Sequence, residues 1–75
     1  MKMFLICRDL HTKILFGLSG IEAVVVSNEK ELKEEYEKAI NNKEIAILIL
    51  EDIFFDSIDI NIDTPIITFV EGIKF

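Results

Sequence analysis

The run KILFGLSGIEAVVV, residues 13–26, constrains the fold of this chain more than any other stretch. It reads as the end of a helix, a glycine stop, a short turn and a strand carrying Val24, Val25 and Val26. A helix feeding directly into a β-branched strand is half of a βαβ unit, the building block of parallel sheets. Leu10, Ile14, Gly17, Leu18 and Ile21 recur at helical spacing, which predicts the buried face of that helix. Gly20 is placed to adopt the left-handed conformation that ends it.

The same grammar repeats along the chain. The apolar run at residues 3–7 suits a strand covered on both faces, and Asp9 is positioned to cap the helix that follows. After a second strand at residues 23–26, Ser27 or Asn28 caps a second helix, with Glu31 three residues after Asn28 as in a capping box. Leu32, Tyr36, Ala39 and Ile40 form its narrow apolar stripe, and Asn41-Asn42 ends it. A third strand at residues 45–50 leads into Glu51-Asp52, which opens a short third helix bearing Ile53, Phe54 and Ile58. Residues 60–64 alternate as a connector, and Pro65 starts a last strand, Ile66–Val70, where a missing backbone donor is tolerated. The order β-α-β-α-β-α-β predicts one α/β domain over residues 1–75. Its sheet is a small doubly wound, flavodoxin- or receiver-like parallel sheet of four strands in order 2-1-3-4, with three helices and right-handed crossovers.

Composition narrows the function classes. The net charge of −6 leaves no basic face for phosphate contacts, which excludes nucleic acid as an expected partner. The 51% hydrophobic share fills a core in 75 residues and leaves apolar side chains over for a partner. The lone cysteine, Cys7, sits in an apolar run and fits a reducing compartment better than a disulfide framework. Arg8 and Asp9 interrupt the N-terminal apolar segment before it reaches signal-peptide length, and IAILIL is far shorter than the roughly 20 residues of a membrane span. The expectation is a cytoplasmic domain without direct membrane insertion.

In doubly wound sheets the ligand site lies at the carboxyl ends of the strands. Three clusters fall there: Arg8-Asp9, Ser27-Asn28 and Glu51-Asp52. None follows a glycine-rich phosphate loop. Asp9 with Glu51 or Asp52 could converge on Mg²⁺ through oxygen ligands, an arrangement that loosely resembles the phosphoacceptor site of response-regulator receiver domains. The simpler reading is that these carboxylates cap helix N-termini at the positive end of the dipole. That reading leaves no catalytic residue, no cofactor and no metal site, and makes the chain a non-enzyme.

The residues in order also resemble the F component of the V-type/A-type ATPase and ATP synthase family, a small part of the central rotor stalk. The resemblance is carried by the first strand MFLIC, by Asp9, and by FGLSGIE followed by VVV. The charged helix EKELKEEYEKAI, the strand IAILIL leading into EDI, and PIITF continue it. The family has a glycine-phenylalanine-x-leucine-alanine-glycine type of run where Phe16 and Gly17 stand transposed here, and a glycine before the acid where Arg8 stands. The sequence runs to Phe75, so the resemblance implies the globular domain and not the mobile C-terminal helix of that family. It implies a non-catalytic rotor subunit of a proton- or sodium-translocating enzyme, peripheral to the membrane, docked on other stalk subunits including a coiled-coil one.

Docking calls for surplus apolar surface. Phe16 falls off the Leu10-Ile14-Leu18 stripe, and Phe55 falls off the Ile53-Phe54-Ile58 face. Phe16, Phe55, Ile73 and Phe75 are therefore the expected partner interface, since aromatic anchors dominate protein–protein binding. The alternatives are a freestanding adaptor or self-associating module, with a homodimer through the last strand, and a degenerate receiver-like domain.

Overall fold

The computed structural model describes residues 2–59 and 65–73. Four strands, β1 (Lys2–Cys7), β2 (Glu22–Val25), β3 (Ile45–Glu51) and β4 (Ile66–Val70), pair in parallel in the order β2-β1-β3-β4. Two helices, α1 (Leu10–Gly17) and α2 (Glu29–Ile40), and a 3-10 helix (Asp52–Ser57) connect them. The strand order and the three helices are those the sequence predicts. The connector at residues 60–64 lies outside the described residues.

Register places Leu5 between Ala23 and Ile49, and Met3 beside Ile47, which pairs onward with Ile66. Side chains alternate across a strand, so the continuous apolar runs supply two cores rather than one. On the α2 side, Ile6, Val26, Leu32, Leu48, Leu50 and Phe54 are buried. On the α1 side the buried centre is Leu5, Cys7 and Ile49.

Helix α2 follows its sequence reading. Asn28 Oδ1 accepts the Glu31 N–H at 2.9 Å, and Glu31 Oε1 reaches back to the Ser27 N–H at 2.7 Å. The reciprocal bond of the capping box therefore lands one residue earlier than in the standard form. Leu32 and Ala39 are buried, and Tyr36 and Ile40 pack beside them.

Helix α1 is rotated from its expected phase. Leu10, Ile14 and Leu18, the expected buried stripe, are 58%, 52% and 80% exposed. Thr12 is fully buried instead, and Phe16 packs on the Leu5-Cys7-Ile49 core. Two local features set this phase. Asp9 caps the helix, its Oδ1 accepting the His11 N–H at 2.7 Å, only two residues beyond the end of β1. At the other end, Ile21 N–H donates to Phe16 O and Gly20 N–H to Gly17 O, with Gly20 at φ 82°. This is a Schellman closure, in which the apolar residues at its two ends, here Phe16 and Ile21, lie on the same side. Both pack on the α1-side core, so Phe16 is drawn toward the sheet. The expectation of an outward Phe16 is corrected accordingly.

Candidate docking surface and the carboxyl ends of the strands

Within the polar clusters at the carboxyl ends of the strands, Asp9, Asn28 and Glu51 are spent on structure. Asp9 Oδ1 holds the His11 backbone N–H and lies 3.0 Å from His11 Nδ1. Glu51, expected to open a helix, is instead the last residue of β3, 5% exposed, and makes no side-chain capping bond to the 3-10 helix. Its Oε1 accepts the Arg8 N–H at 3.1 Å, which ties the end of β3 to the β1–α1 turn. The chain after β4 presses on the same carboxylate: a Cβ at Gly72 would lie 2.7 Å from Glu51 Cδ. The segment then reaches α1, where Ile73 N–H donates to Thr12 Oγ1 at 3.0 Å.

Cys7 sits beneath this cluster. Burial pushes its thiol up to about 11, and the nearby Glu51 carboxylate pushes the same way. Its Sγ donates at 3.5 Å to the carbonyls of Asp9 and Val24. A neutral, buried thiol with backbone partners is a small core residue, not a nucleophile. Among the described residues, no group of three or more His, Cys, Asp or Glu side chains is arranged to hold a metal ion.

Apolar surface is the remaining asset. Leu10, Ile14 and Leu18 stand at steps of four on the outer side of α1, a single ridge of the kind that fits a groove on a partner helix. The sequence reading missed this ridge by assigning it to the core. The available signal was that α1 carries apolar residues on two opposite sides, only one of which can face the sheet.

The other expected interface residues scatter. Phe16 is half-buried on the core. Phe55 is 60% exposed, its ring edge-on to Phe69 with centroids 5.0 Å apart. Ile53, expected on the buried face with Phe54 and Ile58, is exposed as well, while Phe54 is buried in the α2-side core and Ile58 packs against it. Ile73 is half-buried beside Thr12, on the opposite side of the sheet from Phe54. Phe75 lies outside the described residues. The structure does not bring the three described ones, Phe16, Phe55 and Ile73, into one patch.

Strand β4 forms one edge of the sheet, and no helix among the described residues is long and apolar enough to cross a membrane. A search of curated protein sequences finds no match. The family model described as ATP synthase (F/14-kDa) subunit matches residues 5–68, from the centre of β1 into β4. The match spans both helices and all three crossovers, and by it the chain belongs to the family of ATP synthase (F/14-kDa) subunits.

Proposed function

We propose that this chain is a non-catalytic central-stalk subunit of a V-type/A-type rotary ATPase, proton- or sodium-translocating, docked on a coiled-coil stalk subunit. It works in the cytoplasm, peripheral to the membrane, by transmitting position and torque rather than by chemistry. The observation that carries this reading is the exposed ridge Leu10-Ile14-Leu18 on a member of the family. Covering a large aliphatic side chain contributes about 1.5–3 kcal/mol before the costs of association. Three in a row on one helix give a coiled coil an anchor line of the right periodicity. Phe55, an exposed aromatic beside Phe69, stands apart from this ridge, and Phe16 packs on the α1-side core rather than on the ridge.

The test is purification of the tagged chain from its native cells under mild conditions. A coiled-coil stalk subunit of the rotary ATPase is expected in stoichiometric amount, and its absence would count against the assignment. A second reading, a homodimer through β4, draws on one feature: Ile66–Val70 is an edge strand with no charged residue. Sedimentation of the isolated chain distinguishes it, since a stable dimer favours self-association and a monomer favours the stalk.

A further inference from the structure

Charge is divided unevenly along this chain. Residues 44–73 contain seven acidic residues and neither Lys nor Arg, although the chain has eight of those elsewhere. The described part of that segment folds into β3, the 3-10 helix and β4, and four of its carboxylates, Glu51, Asp52, Asp56 and Glu71, stand at or just beyond the carboxyl ends of β3 and β4.

The 3-10 helix distributes its charge in a specific way. Side chains three apart line up in such a helix, so Ile53 stands over Asp56 and Asp52 over Phe55. Phe54, on the third side, goes into the α2-side core. Each of the two outward edges therefore pairs one apolar anchor with one carboxylate. Phe55 is held by its edge-on contact with Phe69 rather than left free to collapse. Beside it, Asp52, Ile53 and Glu71 line a cleft of about 480 Å³ together with Glu51 and Gly72. Among the described residues, Asp52, Asp56 and Glu71 have no ion-pair partner.

We propose that this corner is a docking surface for a cationic amphipathic helix of a partner protein. Apolar side chains of that helix cover Ile53 and Phe55, and its Lys or Arg residues answer Asp52, Asp56 and Glu71. The choice of occupant follows from charge and spacing. Three exposed carboxylates, Asp52, Asp56 and Glu71, repel nucleic acid and attract cations. Side chains three apart on a 3-10 helix are about 6 Å apart along the axis, close to the 5.4 Å of one α-helical turn. Long basic side chains suit the mixed lining, because their stems lie on apolar surface while the charged ends reach carboxylates. Phe55 offers the ring face for such a cation. The surface lies at the carboxyl ends of β3 and β4, with Phe55 against Phe69 on the α2 side, apart from the outward α1 ridge, and goes beyond the stalk reading.

The probe is a synthetic Leu/Lys amphipathic helix of about 18 residues, long enough to be helical in water, with a Leu/Glu helix of the same pattern as control. Titration of the isotope-labelled chain is expected to shift the amides of residues 52–57 and 71–72 first. Phe55→Ser weakens the affinity about ten-fold, as loss of an aromatic anchor does. Asp52→Asn with Asp56→Asn and Glu71→Gln weakens it as much and flattens its salt dependence. Glu34→Gln with Glu37→Gln, on the outer face of α2, changes it less than two-fold, roughly the scatter of exposed charges. Equal loss from the α2 pair, equal binding of the Leu/Glu helix, or shifts centred on α1 would each overturn the proposal. Shifts centred on α1 would move the binding to the Leu10-Ile14-Leu18 ridge and leave the stalk reading standing, and failure of Ile14→Asp with Leu18→Asp to weaken stalk binding would leave this corner untouched, so the two assignments fail separately.

Discussion

The backbone N–H of Ile73 donates to Thr12 Oγ1 at 3.0 Å, joining residues 61 apart and fastening the segment after β4 to the buried side of α1. Thr12 is fully buried, so its hydroxyl has no water to turn to, and the bond fixes both the tail and the phase of the helix.

Thr12→Val keeps the shape and removes the acceptor. The expected cost is about 1 kcal/mol, with a selective loss of hydrogen-exchange protection at the Ile73 amide. Thr12→Ser retains the hydroxyl and is expected to keep that protection. Denaturant unfolding and exchange measured by NMR check both, and unchanged protection in Thr12→Val would contradict the contact.

Gly72 and Glu51 form a second long-range pair. A Cβ at Gly72 would meet Glu51 Cδ at 2.7 Å and Oε2 at 2.8 Å. Glu51 has little room to swing away, being buried with Oε1 on the Arg8 N–H. Gly72→Ala is expected to cost about 1–3 kcal/mol, as overpacking does. In a Glu51→Ala background the same change is expected to cost almost nothing, and the double-mutant cycle reads the coupling.

Helix α1 gives a paired prediction from its phase. Phe16 packs on the Leu5-Cys7-Ile49 core, so Phe16→Ser is expected to destabilise by about 2 kcal/mol. Leu18 is 80% exposed, so Leu18→Ser is expected to fall within about 0.5 kcal/mol of the parent. Thermal or urea unfolding of the two variants decides the phase, and the reverse ranking would restore the sequence-based assignment.

The difference between α1 and α2 shows what the sequence could and could not carry. In α2, all apolar residues share one stripe and everything else is charged, so Leu32 and Ala39 identify the buried side by themselves. In α1, Leu10, Ile14 and Leu18 compete with Thr12, Leu15 and Phe16, and a count of apolar residues favours the wrong row. The contacts that settle it are an Ile73 amide from the far end of the chain and a Schellman closure at Gly20. Asn28, Asp9 and Gly20 were legible because a cap is local chemistry. Glu51 was not, because its role as the buried terminus of β3 depends on the Arg8 amide 43 residues away and on the passage of Gly72. The four-strand order followed from the alternation of elements, whereas the interface residues depended on which helix face remained uncovered.

Cys7 makes stability sensitive to alkaline pH. Its thiol ionises near its ordinary value of 9.0 in the unfolded chain and near about 11 in the folded one, chiefly because it is buried. Below pH 9 both states hold the proton and the contribution is fully present. As pH rises toward 11 the unfolded state loses its proton first, so stability falls across that window. The difference between the parent and Cys7→Ala in urea unfolding from pH 8 to pH 11 isolates this slope, which is expected to be steeper in the parent. The folded thiol is also expected to resist a thiol reagent at pH 8 until the chain is unfolded.

The most direct test of the stalk assignment is the affinity of this chain for the coiled-coil stalk subunit of its own rotary ATPase, measured for the parent and for Ile14→Asp with Leu18→Asp. Both positions are more than half exposed, so the variant is expected to keep its fold by circular dichroism. Placing two carboxylates on the ridge is expected to weaken binding at least about 100-fold, the scale of losing two anchors at a desolvated contact. Binding equal to that of the parent, with the fold intact, would contradict the role given to the Leu10-Ile14-Leu18 ridge.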